Sequence, residues 1–246
     1  MIEKYYNGVI EQVVGGIGNV EHNSILVRYS NDFSIWDLES VNHYKDQTDI
    51  FFTCHEFSYN KIAEAYEPYL GLIRQMFHKY CSGTLEEFME ECDVYKLQRP
   101  VFESYFEKGF CERTEQILID EVEYEQERMR NSIVTMLQKL SEIRPVVIVL
   151  NRFQLASKST MQLSNSLLQV KNKNIGIVLG VNDVQSIPEF AHEEWDAICE
   201  SMDDRNMVYH IGNAGRNMEP DVMDYYSDYE SDDGYRKLNN LVYFLD

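Results

Sequence analysis

Val146-Val147-Ile148-Val149-Leu150 is a run of five consecutive aliphatic residues. Strand side chains alternate between two faces, so an unbroken apolar run is stable only where both faces are covered. That condition is met in the middle of a parallel sheet with helices packed on each side. Residues 157–170 then carry helical periodicity, and Ile175-Gly176-Ile177-Val178-Leu179 is a second apolar run. Together they read as a β-α-β unit, and the expected fold class is α/β with a mostly parallel sheet in three layers.

The same reading extends along the chain. Residues 1–14 predict a helix with Ile2, Tyr5, Tyr6, Val9, Ile10 and Val13 on one side, stopped by Gly15-Gly16-Ile17-Gly18, which reads as a turn. Ser24 to Tyr29 predicts a buried strand and Asp49 to Cys54 a second. Helices are expected at 60–80, 84–92, 100–108, 112–142 and 188–202, with a last strand at 207–211. The domain is expected to span 1–212. From Glu219 to Asp233 the chain holds seven acids and no base, interleaved with tyrosines. Residues 213–234 therefore read as an acidic, poorly ordered linker. Residues 235–246 read as an amphipathic helix, the opening of a helical repeat, so the chain reads as a piece of a longer protein.

A length of 246 residues suits one large α/β domain. The net charge of −20 repels phosphate backbones and anionic lipid heads, which argues against direct nucleic-acid or membrane-surface binding. Cys54, Cys81, Cys92, Cys111 and Cys199 are odd in number and widely spaced, the usage of a reducing, cytoplasmic chain. The start, MIEKYYNGVIEQ, lacks a secretory pattern, and no stretch approaches a membrane span.

Three stretches resemble the P-loop ATPases of the AAA and STAND signalling class, the kind found upstream of tetratricopeptide repeats in bacterial regulators. Asp49 to Phe57, with Tyr69-Leu70-Gly71-Leu72-Ile73 downstream, looks like the family's second strand and following helix. Arg144 to Ser157 is similar to its Walker B strand and turn, and Asn174 to Asn182 to its sensor strand. The resemblance covers about residues 1–210. It implies a P-loop NTPase-like sheet with a helical insertion between the second strand and the Walker B-like strand.

The chemistry of that family does not carry over. A P-loop reads G-x-x-x-x-G-K-[ST]; its amides cradle phosphate, its lysine reaches the terminal phosphates and its hydroxyl holds Mg²⁺. The corresponding stretch here puts Tyr29 and Ser34 at the glycine places, Ile35 at the lysine and Trp36 at the hydroxyl. Walker B acids are replaced by Asn151 and Arg152, the second with inverted charge. Asn182 stands where a sensor residue could. Phosphoryl transfer depends on positioned positive charge and metal, so these departures together argue against hydrolysis.

Other constellations read as structural. Cys54 and His55 are adjacent strand residues and point to opposite faces, so they do not form a nucleophile pair. The six histidines show no zinc spacing, and no metal is expected. Acidic runs such as Glu86-Glu87 and Glu90-Glu91 read as solvated helix faces. The resemblance implies a pseudo-ATPase regulatory or scaffold domain that contacts a protein partner, with no cofactor and no catalytic residue. One alternative is a divergent ATPase that still binds ATP and Mg²⁺. Another is an unrelated α/β interaction domain.

Overall fold

The structure, a computed structural model, describes residues 2–19, 23–30, 33–47, 49–61, 63–109, 122–170, 172–183, 187–203 and 208–211. The expectations for residues 110–121 and for everything after 211, the acidic linker and terminal helix included, fall outside them.

Five strands form one parallel sheet in the order β2-β3-β4-β1-β5. They are β1 (Ser24–Tyr29), β2 (Phe51–Glu56), β3 (Val146–Asn151), β4 (Ile175–Asn182) and β5 (Val208–Ile211). The aliphatic run is β3, and every residue in it is buried. Each of those side chains contributes roughly 1.5–3 kcal/mol relative to an exposed one. The described helices are α1 (Ile2–Gly15), α2 (Glu39–Lys45), α3 (Tyr69–Tyr80), α4 (Leu85–Glu91), α5 (Arg99–Lys108), α6 (Val122–Ile143), α7 (Lys158–Gln169) and α8 (His192–Asp203), and the sheet has helices on both faces.

The end of β1 shows the layering directly. Tyr29 meets Tyr6 of α1 edge to face at 6.4 Å. Its neighbour Arg28 lies 5.6 Å from the Trp195 ring and 3.1 Å from Cys199 Sγ, both on α8. Successive strand residues point to opposite faces, so α1 and α8 sit on opposite sides. Helix α1 reaches the sheet because β4 carries two glycines on one face. A Cβ at Gly176 would meet Val13 Cγ1 at 2.7 Å, and one at Gly180 would run into Tyr6. Val13 lies over the start of β4 and Tyr6 over its end, so α1 runs antiparallel to that strand.

Several boundaries differ from the sequence expectation. The helix predicted over 60–80 begins only at Tyr69. Pro68 lacks an N–H and disfavours helical backbone at the residue before it, so 57–61 and 63–68 are irregular. The latter stretch is held by the start of α7: Ser157 Oγ donates to the Glu64 carbonyl at 3.3 Å and Thr160 Oγ1 to the Glu67 carbonyl at 3.1 Å. The second strand is shifted two residues onward, to Phe51–Glu56, and β4 continues three residues past its aliphatic run, to Asn182. Helix α2 was not anticipated.

Helices α3 to α6 all lie between β2 and β3. Helix α4 opens with a reciprocal cap, Thr84 N–H donating to Glu87 Oε2 at 2.9 Å and Glu87 N–H to Thr84 Oγ1 at 3.2 Å. Phe77 packs on Phe88 and Phe106, which joins α3, α4 and α5. Gln98 is fully buried; its amide donates to the Glu125 carbonyl at 3.2 Å and its oxygen accepts from Ser132 Oγ at 3.1 Å. That pairing docks the group on α6. Among the described residues no helix is long and apolar enough to cross a membrane.

Candidate functional site at the strand ends

In a parallel sheet flanked by helices, the carboxyl ends of the strands are where ligands bind. Four strands end together here. Tyr29, the last residue of β1, is in register with Asn182, the last of β4. Glu56, the last of β2, is in register with Asn151, the last of β3. Five of the seven positions singled out from sequence (Tyr29, Ile35, Asn151, Arg152 and Asn182) therefore meet in one neighbourhood. Ser34 lies in the same loop as Ile35, and Trp36 turns outward, 49% exposed.

That neighbourhood is filled from within. Tyr29 Oη donates to Asn151 Oδ1 at 2.8 Å, and both side chains are fully buried. Phe33 packs edge to face on Tyr29 at 4.9 Å and on Tyr6 at 5.1 Å. Three aromatic rings thus pack together at the end of β1. Burial, with Tyr29, Cys54 and Glu56 adding to it, pushes the Tyr6 phenol well above its ordinary range, so it stays neutral.

The backbone after each strand is tied down as well. Asp183 N–H donates to the Tyr29 carbonyl at 2.8 Å. Asn182 N–H donates to Gln154 Oε1 at 3.3 Å, with Gln154 fully buried in the turn after β3. Ser34 accepts from Trp36 N–H at 3.4 Å, which starts a short 3-10 turn over Ile35–Asp37. Ile35 itself is buried, and its N–H donates to Glu56 Oε2 at 2.9 Å. Arg152 has φ 54°, in the region that favours glycine, and its Nη1 lies 3.3 Å from Glu56 Oε1. The charge of Arg152 is thus matched by a carboxylate from the neighbouring strand.

Tyr6, Phe33 and Glu56 complete the site, and substitution along a motif did not reveal them. Gly180, a small residue inside a strand of large ones, was the available signal for close approach by another element. Asn151 Nδ2 and Tyr6 Oη are buried with no hydrogen-bond partner among the described residues. No group of three His, Cys, Asp or Glu among the described residues is placed to hold a metal ion.

Cys54 and His55 are separated as alternation requires. Burial pushes the Cys54 thiol up to about 12, with Lys45 acting in the opposite direction. Burial also lowers His55, against the pull of Glu67, whose Oε1 lies 3.8 Å away. The Cys92 thiol is likewise pushed up to about 12 by burial. Only thiolates alkylate, so at pH 8 both cysteines should label at least ~100-fold more slowly in the native protein than in urea. Residue-resolved mass spectrometry reads the rates, and equal labelling in the two states would contradict the buried placement.

No protein-family model, no curated protein and no solved structure matches this chain.

Proposed function

We propose that the chain is a non-catalytic P-loop-ATPase-like domain that serves as a regulatory or scaffold module and works through protein–protein contact. One observation carries the reading. The strand ends that would have to converge for nucleotide chemistry lie side by side, yet they are closed by the Tyr6, Tyr29 and Phe33 rings and by the neutral Tyr29–Asn151 pair. The strand order supports it, because β4 lies between β1 and β3 and brings the P-loop-like, sensor-like and Walker B-like ends together. The four helices between β2 and β3 support reading that stretch as an insertion. A site lined in this way offers neither a lysine for phosphate nor an acid at Asn151 for Mg²⁺. Trp36 and Tyr5, both large and well exposed, are surface anchors suited to a protein partner.

Thermal unfolding in ATP, ADP and Mg²⁺ tests this. A ligand that binds only the native state stabilises it by RT ln(1 + [L]/Kd), about 2.7 kcal/mol at a hundredfold excess over Kd. The expected result is no saturable shift with nucleotide up to millimolar concentration. Saturable stabilisation at micromolar ATP would overturn the reading in favour of a divergent ATPase.

A further inference from the structure

Glu56 joins three separate segments. One carboxylate oxygen accepts from the Ile35 amide in the loop after β1, at 2.9 Å. The other lies 3.3 Å from the Arg152 guanidinium in the turn after β3. Both charged side chains are mostly buried, at 13% and 19% exposure. A backbone amide and a guanidinium converging on two oxygens is the donor set that binds a compact oxyanion. Arg152 holds this position from a left-handed backbone conformation, and such conformations persist where the surroundings dictate them. The adjoining Asn151, in register with Glu56, keeps a second buried donor, Nδ2, without a partner among the described residues.

We propose that the Ile35 amide and the Arg152 guanidinium form an oxyanion seat whose resident anion is the chain's own Glu56 carboxylate. An external oxyanion, inorganic phosphate or sulfate, takes the seat when that carboxylate is gone. The proposal rests on the reading of a closed nucleotide site and adds one element to that closure: beside the aromatic rings, the place of an anion is occupied by a side chain of the neighbouring strand. Because Ile35 immediately precedes the exposed Trp36, occupancy of the seat also fixes the surface that Trp36 presents.

Glu56→Ala empties the seat, and Glu56→Gln fills it with a neutral acceptor. Both variants are titrated with sodium sulfate and sodium phosphate against sodium chloride of equal ionic strength. Melting temperature is one readout. Trp36 fluorescence in a Trp195→Phe background is the other. The expected result is a saturating rise of several degrees and a saturating Trp36 signal for Glu56→Ala alone, with the unsubstituted protein and Glu56→Gln showing only the chloride-matched trend. A Glu56→Ala response no larger than that of the unsubstituted protein would overturn the proposal, as would saturable binding by all three.

Should Glu56→Ala fail to fold, hydrogen exchange at the Ile35 amide decides. The exchange should speed up in Glu56→Gln relative to the unsubstituted protein, and unchanged exchange would mean that the seat is not made. The closed-site reading fails separately, on nucleotide binding by the unsubstituted protein, whatever Glu56→Ala does with sulfate.

Discussion

Asn151→Asp, which restores an acid at the end of β3, should destabilise the protein by about 4 kcal/mol at pH 7 and by little at pH 4. Asn151 is fully buried. Its side-chain oxygen accepts from Tyr29 Oη, and its register partner on β2 is Glu56. An aspartate there would lose its hydration and face a second carboxylate, and both effects raise its pKa; the nearby Arg152 is already engaged with Glu56. A group whose folded pKa is raised costs nothing below its unfolded pKa, near 3.9 for Asp. The cost then grows by about 1.36 kcal/mol per pH unit until the folded value is passed, so a shift of roughly three units gives the figure at pH 7. Urea unfolding of the variant and the unsubstituted protein at both pH values measures the difference, with the background pH dependence cancelling. An equal cost at pH 4 and pH 7 would show that the aspartate is not charged in a buried place. The variant should gain no nucleotide binding, since Tyr29, Phe33 and Ile35 still close the site.

The sheet was legible because its core strands are written in aliphatic residues. The five aliphatic residues of β3 admit no amphipathic reading, and β4 follows at β-α-β spacing. Errors arose where tertiary packing overrode local pattern. Apolar residues recur helically from Ile62, yet Pro68 holds the helix back to Tyr69, and the preceding segment is fixed by α7 side chains from nearly a hundred residues away. Helix α2 is short and has few buried residues, so its periodicity gave little to read.

Half of the site was legible in the same sense. Tyr29, Asn151 and Asn182 follow from placing motif positions at strand ends, and the parallel register does bring them together. What closes the site was not legible, because each closing contact comes from another part of the chain. Tyr6 arrives from α1, and Glu56 reaches the Ile35 amide from β2. A motif comparison sees what replaces a lysine or an acid. It does not see which distant side chain fills the space they left.

Gly180→Ala tests that filling most directly, and should cost about 3 kcal/mol, the upper part of the range for overpacking. The added methyl would run into Tyr6 Oη, with Asn151 Oδ1 at 2.7 Å and Tyr6 Cζ at 3.1 Å. Strand β4 is paired on both sides, by β3 and β1, so its backbone has little freedom to move away. The phenol is the group that can be changed. Its oxygen is buried without a partner among the described residues, so Tyr6→Phe should be nearly neutral by itself. In the double variant the worst contact is gone, and the combined cost should fall short of the sum by roughly 1–2 kcal/mol. Urea unfolding of the four proteins in the cycle reads this coupling. Additive costs, or a Gly180→Ala variant within about 0.5 kcal/mol of the unsubstituted protein, would mean that slack volume remains at the end of β4. A strong coupling would place Tyr6 and the end of β4 in one packed unit.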